Sequence, residues 1–416
     1  TVDEKNELVF LSIESPSSDF YGGHRPGDNL FGESIVAVDL NTGEYRWHFQ
    51  VVHHAIWDHD LSSAPLVMDV EIDGEMREIL ALPTKQAFMY VFDRITGEPI
   101  WPIPEVPVPQ GNVPGEWYSP TQPRPSDKLL YGNPELDYPD DLIDFTPEMR
   151  AQAEKNLERW VWKDGTLYNP PIAGDVNGML GGINLGNAGG GTNWPGGSFD
   201  PETGIVYASA TTSAIGGISL APPPEGYSNV NYMAGRKGQP FRMRNAAGTG
   251  QNPDAPKEVN YPVYSGPRVV VPSLNVKGLS ILKPPYGVIA AIDMKAGEVL
   301  WRVAHGETPD NVRNHPDLRE MNIPRTGQRG SVGSVVTKNL LILGDPRVTN
   351  PGDRERGAML RAYDKMTGNQ VGELWLPAGQ SGSPMTYMID GKQYICVSVS
   401  GGAYAGEFRV YALPDD

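Results

Sequence analysis

The sequence predicts an all-β fold, a β-propeller of four-stranded blades, and three observations support this. The chain has 48 glycines and 39 prolines among 416 residues, a turn-rich composition that excludes a helical bundle. A motif of the form A-x-D-x-x-T-G-x-x-x-W occurs four times with decreasing fidelity. The first two copies are 54 residues apart, which is the spacing of propeller blades rather than of α-solenoid repeats.

Each copy of the motif has the composition of a β-hairpin. In the first copy, apolar residues lead to Asp39, whose carboxylate can accept hydrogen bonds from turn N–H groups. Gly43 permits a positive φ, and Trp47 lies on the returning strand. The other copies are Asp93 to Trp101, Asp293 to Trp301, and Asp364 to Gly368, where the Trp is missing. We therefore expect Trp47, Trp101 and Trp301 to be largely buried between sheets.

The number of repeats leaves room for five to six blades in this chain. Two stretches do not fit the repeat, and we expect both to be insertions into one unit that covers residues 1–416. The first, at about 102–180, begins with Pro-rich loop and continues into a helix from Pro147 to about Trp160, with Thr146 as the N-cap. The second, at about 222–272, is turn-rich.

Charge and cysteine content exclude several function classes. The 34 basic and 51 acidic residues give a net charge of −17, which argues against nucleic acid as a partner and against docking on anionic lipid. The single cysteine, Cys396, excludes a disulfide, a Cys-rich zinc site and a CxxCH haem attachment within the chain. We expect it to be a buried strand residue.

The densest group of polar residues is the segment 53–60, with three His, two Asp and one Trp. On a strand, His54, Asp58 and Asp60 would share one face and could converge on a ligand. The absence of an HExxH spacing or a Cys partner argues against zinc, and two carboxylates favour a hard cation. The alternative is a polar corner in which these side chains cap turns.

Two other features are ambiguous when taken alone. Lys85 follows Asp58 by 27 positions and precedes an apolar strand, where a lone Lys is usually a solvated edge residue. The glycine-rich run 181–197 contains Asn193 and Trp194, and such a run lets the backbone approach a planar ligand. Tight packing between blades explains a glycine-rich run equally well, and the run lacks the ending of a P-loop.

Several segments together resemble the pyrroloquinoline-quinone (PQQ) dehydrogenases, nearest the glucose dehydrogenase type. These segments are residues 19–23, 46–60, 83–85, 193–197, 376–379 and 384–387. The HHxxWDxD block followed by Lys85 is the most specific of them, and the likeness covers essentially the whole chain. The resemblance implies an eight-bladed propeller of the bacterial periplasm that oxidises a sugar or polyol hydroxyl by hydride transfer to PQQ.

The resemblance also implies roles for individual residues. Asp58 matches the general base, and Lys85 matches the residue that hydrogen-bonds the quinone oxygens. Asn193 and Trp194 match an Asn-Trp pair beside the cofactor ring. Asp58 and Asp60 would be metal ligands, with Ca²⁺ or Mg²⁺ ranked ahead of a lanthanide.

The chain departs from the family pattern in two places. Many members have Gly-Asn, with Asn as a calcium ligand, where this chain has Glu14 and Ser15. The family's first blades, which supply a metal-ligating acid and a Trp under PQQ, have no counterpart in the chain. We therefore expect missing N-terminal blades or a companion chain to complete the ring, and a segment absent from this chain to provide any membrane association.

Two further expectations concern electron transfer and the competing class of protein. A quinone or a separate cytochrome would accept the electrons, because the chain has no haem motif of its own. The alternative to an enzyme is a non-catalytic β-propeller scaffold or binding protein of the outer-membrane assembly type, which shares the repeat without a cofactor. Asp58 with Lys85 and the segment around Asn193 favour the enzyme.

Overall fold

The computed structural model describes residues 1–162, 165–174, 178–186, 189–223, 228–235 and 274–412. Within these residues, five antiparallel sheets follow one another along the chain, and we call them blades one to five. In each blade the strands pair in chain order, as in a meander. The predicted all-β propeller architecture is confirmed.

Three of the blades have the expected four strands. The strands of blade one are Val2–Asp3, Leu8–Ser12, Ser34–Asp39 and Tyr45–Gln50. Those of blade three are Gly197–Asp200, Ile205–Thr211, Gly287–Asp293 and Glu298–Ala304. Those of blade four are Val335–Val336, Leu340–Gly344, Ala358–Asp364 and Gln370–Leu376. Blades two and five each have three strands among the described residues. Those of blade two are Leu66–Ile72, Glu75–Pro83 and Met89–Asp93, and those of blade five are Met385–Ile389, Lys392–Gly401 and Tyr404–Ala412. In blade two, Pro99 and Pro102 lie where the fourth strand would return, and proline has no N–H to donate to a neighbouring strand.

A mixed sheet lies outside the row of blades. Its strands are Trp160–Val161, Gly181–Leu185, Ile215–Ala221, Ile172–Ala173 and Met233–Ala234. The glycine-rich run 181–197 is therefore divided between this sheet and blade three, and the first insertion continues past residue 180. Two hairpins pair Glu105–Pro107 with Thr121–Pro123 and Asn275–Val276 with Leu279–Ser280. Most of the expected insertion at 222–272 lies outside the described residues.

Helices are few and short. The expected helix spans Pro147–Leu157, and the Thr146 side chain accepts a hydrogen bond from the Met149 N–H, so the N-cap prediction is confirmed. A one-turn helix spans Asp310–Arg313, and 3₁₀ turns span Asp127–Leu129 and Pro316–Leu318. In the part of the chain that the structure describes, no helix is long and apolar enough to cross a membrane. Cys396 lies on a strand as expected, although it is half-buried rather than buried.

The repeat tryptophans connect successive blades. A Cβ at Gly97, in the turn of blade two, would lie only 2.6 Å from the ring of Trp47 of blade one. In the same way, Trp101 of blade two lies on the turn glycine Gly297 of blade three, and Trp301 of blade three lies on Gly368 of blade four. Trp47 is buried, and Trp101 and Trp301 are half-buried and pack against buried core residues, so none of the three is mainly exposed to solvent and the expectation that they lie largely buried between sheets is confirmed.

The contact between Trp47 and Gly97 can be tested with a matched pair of substitutions. Gly43 and Gly97 occupy the same turn position at φ +74° and +78°, but Gly43 faces open space. We expect Gly43→Ala to cost about 1–2 kcal/mol through its left-handed backbone. Gly97→Ala should cost about 1–3 kcal/mol more, because the methyl group meets the indole. Urea denaturation measures both, and equal losses would show that the Trp47 contact does not hold the blades together.

A buried histidine links blades three and four. His305, at the end of blade three, contacts the Tyr363 hydroxyl and the Gly344 carbonyl of blade four at 3.0 Å each. Burial lowers the pKa of His305 to about 3. A histidine whose folded pKa is lowered stabilises the fold above its unfolded pKa of about 6.5 and loses that contribution as the pH falls from there toward 3.

We expect this histidine to contribute a measurable part of the acid sensitivity of the fold. Between pH 7 and pH 5 it should remove roughly 2 kcal/mol of unfolding free energy, because the unfolded state binds a proton and the folded state does not. The variant His305→Gln should lose less over the same interval. Urea titrations of both proteins at the two pH values check this, and parallel losses would contradict it.

Candidate active site

The sequence-predicted acid and base groups lie in two connections at the same end of blades one and two. Asp58 and Asp60 follow the last strand of blade one, and Lys85 lies in the turn after Glu75–Pro83 of blade two. The segment 53–60 is built of turns and bends and is not a strand. His54 and Asp58 have φ values of +48° and +61°, and left-handed residues break the alternation of a strand. The expected common face of His54, Asp58 and Asp60 is therefore wrong.

The structure nevertheless brings Asp58, Asp60 and Lys85 together. The Lys85 ammonium donates to Asp58 Oδ1 at 3.1 Å and to Asp60 Oδ2 at 2.6 Å. It also lies 3.3 Å from the backbone carbonyl oxygen of Asp58. The three side chains are between 5 and 19% exposed, so water screens these charges weakly. We call these residues the Lys85 cluster.

Burial and mutual contact set the protonation of the Lys85 cluster. Burial raises the pKa of Asp58 to about 7 against the opposing charge of Lys85, with a further contribution from the hydrogen bond to Asp60. Burial acts in the same direction on Asp60, but hydrogen bonds from Asp58 and Lys85 lower its pKa to about 2. Burial alone would lower the pKa of Lys85, yet the two carboxylates raise it. One ammonium thus faces one ionised carboxylate and one that titrates near neutrality.

Glu33, which was not among the residues predicted from the sequence, lies beside this cluster. It is fully buried, and one of its oxygens accepts hydrogen bonds from the Ser15 hydroxyl and from the His59 backbone N–H. Among the residues that the structure describes, the other oxygen, Oε2, has no hydrogen-bond partner. Burial raises the pKa of Glu33 to about 8. A glutamate directly before the apolar strand Ser34–Asp39 is the only signal that could have indicated it.

Ser15 occupies the position at which the sequence departs from the family pattern, and it contacts the site. Its backbone N–H donates to Asp60 Oδ1 at 2.8 Å, and its hydroxyl donates to Glu33. Ser15 therefore holds two acidic groups in place, in a position where the family resemblance implied an Asn ligand.

The histidines of the segment 53–60 make their hydrogen bonds with groups outside the Lys85 cluster. His53 contacts Gln50 and Glu105, and His54 contacts Glu116 at 3.0 Å. His59 contacts the Leu185 carbonyl, and burial lowers its pKa to about 4, so its ring is neutral. The three histidines are therefore structural groups of a polar corner, as the alternative interpretation of this segment predicted.

Asn193 and Trp194 lie on a loop that passes beside Lys85. The preceding Thr192 donates its N–H to the Thr84 carbonyl at 3.0 Å, and a Cβ at Gly191 would lie 2.3 Å from the Lys85 carbonyl oxygen. Asn193 is half-buried, and its side-chain oxygen accepts the Trp194 N–H. The Trp194 side chain is 57% exposed. Backbone contact, from Thr192 and Gly191, links this loop to Lys85.

The oxygen groups at the Lys85 cluster suit a hard cation. Asp58, Asp60 and the unpartnered oxygen of Glu33 are the carboxylate donors that Ca²⁺ and Mg²⁺ prefer. Among the described residues, no three His, Cys, Asp or Glu side chains are arranged to hold a metal ion. Asp58 and Asp60 therefore fit part of a cation site, and the remaining ligands would have to come from other groups.

The ion pairs of Lys85 should make a large contribution to folding. We expect Lys85→Met to lower the free energy of unfolding at pH 8 by roughly 3–5 kcal/mol, because it leaves two buried carboxylates without their cation. The exposed pair of Lys128 and Glu298 provides the control, and Lys128→Met should cost less than about 1 kcal/mol. Urea denaturation measures both losses, and similar values would show that the buried ion pairs contribute little.

Comparison with known proteins agrees with the geometry. The sequence model of the PQQ family described as "Glucose/ethanol/alcohol dehydrogenase, beta-propeller domain" matches residues 1–395. The quinoprotein glucose dehydrogenase of Escherichia coli (strain K12) is 30% identical over 100% of this chain and 48% of its own length. The quinate/shikimate dehydrogenase (quinone) of Acinetobacter baylyi (strain ATCC 33305 / BD413 / ADP1) is 28% identical over 99% of this chain and 47% of its own length.

A solved structure shows the same fold. The quinohemoprotein alcohol dehydrogenase from Comamonas testosteroni has a TM-score of 0.54 and 21% identity over 96% of this chain and 43% of that chain. The chain spans about half the length of the curated relatives it matches. Because the family match covers residues 1–395, the chain belongs to the PQQ-dependent glucose, ethanol and alcohol dehydrogenase β-propeller family.

Proposed function

We propose that the protein acts as a PQQ-dependent dehydrogenase that oxidises a hydroxyl group of a sugar or polyol. The observation that carries the proposal is the Lys85 cluster, in which a buried ammonium joins Asp58 and Asp60. Family membership and the names of relatives that act on glucose and quinate support it. An ion pair with only a structural role would not require a second carboxylate, such as that of Asp58, whose pKa lies near neutral pH.

Asp58 is suited to the role of general base. A base is most effective when its pKa lies near the working pH, and burial raises the pKa of Asp58 to about 7. Its ionised carboxylate would take the proton of the substrate hydroxyl. PQQ, when bound, supplies the hydride acceptor. The Lys85 ammonium would donate to oxygen atoms on which negative charge develops, and it stays protonated because the two carboxylates raise its pKa.

The proposal includes a Ca²⁺ or Mg²⁺ ion in preference to a lanthanide. Asp58 and Asp60 would contribute carboxylate oxygens to it, and Glu33 lies near enough to influence their charge. Such an ion would lower the pKa of a bound hydroxyl group. The loop of Asn193 and Trp194 would cover one side of the cofactor, since its backbone already packs against Lys85.

Blade five supports the proposal that further β-sheet completes the ring. One face of its described strands exposes large apolar side chains, which are Met385, Ile389, Phe408 and Val410. The Phe408 side chain is 77% exposed. An apolar sheet face of this kind is usually covered, and the next blade of a propeller would cover it. We propose that additional blades or a companion chain do so.

The resemblance to the family extends the proposal to the protein's surroundings. We propose a periplasmic location, membrane association through a segment outside this chain, and a quinone or separate cytochrome as electron acceptor. The names of the relatives support a sugar or polyol substrate, among which glucose, glycerol and quinate are the compounds to test first.

The test is PQQ-dependent dye reduction with glucose, glycerol and quinate in the presence of Ca²⁺ or Mg²⁺. We expect no activity from the 416-residue chain alone and activity once the sheets that complete the ring are supplied, because several cofactor contacts of about 1–3 kcal/mol each are otherwise missing. Activity of the chain alone would contradict the need for further blades. A completed ring without activity on any of the three compounds would favour the non-catalytic scaffold.

In the active protein, Asp58→Asn should lower the turnover rate by at least about 100-fold, because an amide cannot accept the hydroxyl proton. The control is Asp73→Asn, a change of the same type in an exposed turn of blade two. Circular dichroism should show the same fold for both variants. Turnover of Asp58→Asn within a few-fold of the unmodified protein would remove Asp58 from the role of base.

A further inference from the structure

The buried pair of His54 and Glu116 lies outside the Lys85 cluster, and the proposed chemistry does not use it. Both side chains are at most 1% exposed. The His54 Nε2 atom lies 3.0 Å from Glu116 Oε1, and its Nδ1 atom lies 2.7 Å from the Gly27 carbonyl oxygen. The pair therefore joins the segment 53–60 to the loop after Glu105–Pro107 and to the connection between the second and third strands of blade one.

The two contacts of the His54 ring require a proton between the members of the pair. A carbonyl oxygen only accepts hydrogen bonds, so the Nδ1 atom carries a hydrogen and donates it to Gly27. The contact between Nε2 and Oε1 then needs one further proton, which either His54 or Glu116 can carry. In both cases the pair has no net charge, which suits a place where water does not solvate a charge.

Glu116 also holds two backbone groups. Its Oε2 atom accepts the Gly22 N–H at 2.7 Å, and its Oε1 atom accepts the Trp117 N–H at 3.0 Å. A Cβ at Gly22 would lie 2.5 Å from His54 Nε2, so the backbone of this glycine lies directly against the pair. The pair thus fixes the chain at Gly22 to the segment 53–60.

The segment 53–60 needs such contacts because its backbone is intrinsically unfavourable. His54 and Asp58 have φ values of +48° and +61°, in the left-handed region that residues other than glycine rarely adopt. Conformations of this kind persist where surrounding contacts determine them. At His54 the backbone contributes as well, since its N–H donates to the Asp28 carbonyl at 3.0 Å. These contacts fix the course of the chain four residues before Asp58.

We infer that His54 and Glu116 form a positioning pair for Asp58. By fixing the left-handed turn at His54, they hold the Asp58 carboxylate at 3.1 Å from the Lys85 ammonium. Their hydrogen bonds are with groups outside the Lys85 cluster, so they act on Asp58 through the backbone between them. The importance of this position for a base rests on the proposed function, whereas the effect on the geometry of the cluster does not.

Acetylation of Lys85 by acetic anhydride measures the geometry of the cluster without PQQ or turnover. Lys85 is 4% exposed and ion-paired, so it should react slowly in the 416-residue chain. In Glu116→Gln the amide nitrogen must face the N–H of Gly22 or of Trp117, from which it cannot accept a hydrogen bond. We therefore expect about tenfold faster acetylation of Lys85, through more frequent local opening, as measured by peptide mass spectrometry.

Two controls separate this effect from a general loosening of the fold. Lys365 is also 4% exposed and is paired with Asp200, far from the cluster in sequence, and its rate should not change. Glu105→Gln is the matched variant, because Glu105 contacts the neighbouring His53 at 2.9 Å in a pair whose side chains are 22 and 48% exposed. It should leave the rates of both lysines unchanged.

A second variant tests the packing against the pair. Gly22→Ala should also raise the rate of Lys85, because the added methyl group meets the His54 ring. If neither Glu116→Gln nor Gly22→Ala raises the rate above that of Glu105→Gln, the inference is wrong. An equal rise at Lys365 and Lys85 would also overturn it, since the pair would then stabilise the fold as a whole.

Activity of the completed protein tests the consequence for catalysis. Glu116→Gln should lower kcat about tenfold or more and leave KM within about threefold, because a displaced base slows the chemical step more than it weakens binding. Glu105→Gln should change neither value. Unchanged kcat per bound PQQ in Glu116→Gln would overturn the positioning role. Failure of the proposed function is distinguishable, because the unmodified protein would then be inactive while the acetylation rates still show whether the pair holds the cluster.

Discussion

The packing of a tryptophan from one blade onto the glycine turn of the next determines how the sheets of this chain are arranged. Only glycine fits there, because a Cβ at Gly97, Gly297 or Gly368 would lie within 2.8 Å of an indole ring. The contact fixes the distance between neighbouring blades and keeps their strands in one relative orientation. As a result, the connections that carry Asp58, Lys85 and the loop of Asn193 emerge at the same end of successive blades.

A second set of contacts reinforces this arrangement. The residue after the repeat aspartate is Arg94 in blade two and Lys365 in blade four. Each forms a buried ion pair with an aspartate of the blade before it, Arg94 with Asp3 and Lys365 with Asp200, at 2.6 Å. Because losing one partner of a buried pair leaves an uncompensated charge, these pairs oppose any other order of the blades. In blades two and four, the residue after the repeat aspartate therefore also contributes to the contact with the preceding blade.

The repeat made the fold predictable, because its Asp, Gly and Trp each have one role in a β-hairpin: to accept turn hydrogen bonds, to permit a positive φ, and to pack on the next blade. The site was predictable only in part. Asp58, Asp60 and Lys85 come together as the resemblance implied, whereas the common strand face proposed for His54, Asp58 and Asp60 fails. The positive φ values at His54 and Asp58 depend on contacts with distant segments, such as His54 with Glu116, which periodicity cannot indicate. Glu33 was missed because its burial depends on Ser15 and His59, which lie far from it in sequence.

The charges of the site explain why the fold has to provide so many restraints around it. Glu33, Asp58 and Asp60 lie near one ammonium, and burial raises the pKa of both Glu33 and Asp58 into the range of 7 to 8. Two of the three acids can therefore hold a proton at neutral pH, and each lost proton adds uncompensated negative charge in a place where water screens it weakly. The backbone N–H groups of Ser15 and His59 offset part of this cost. A site of this kind has a raised affinity for a proton or a cation, and the proposed roles of general base and metal ligand would use that affinity.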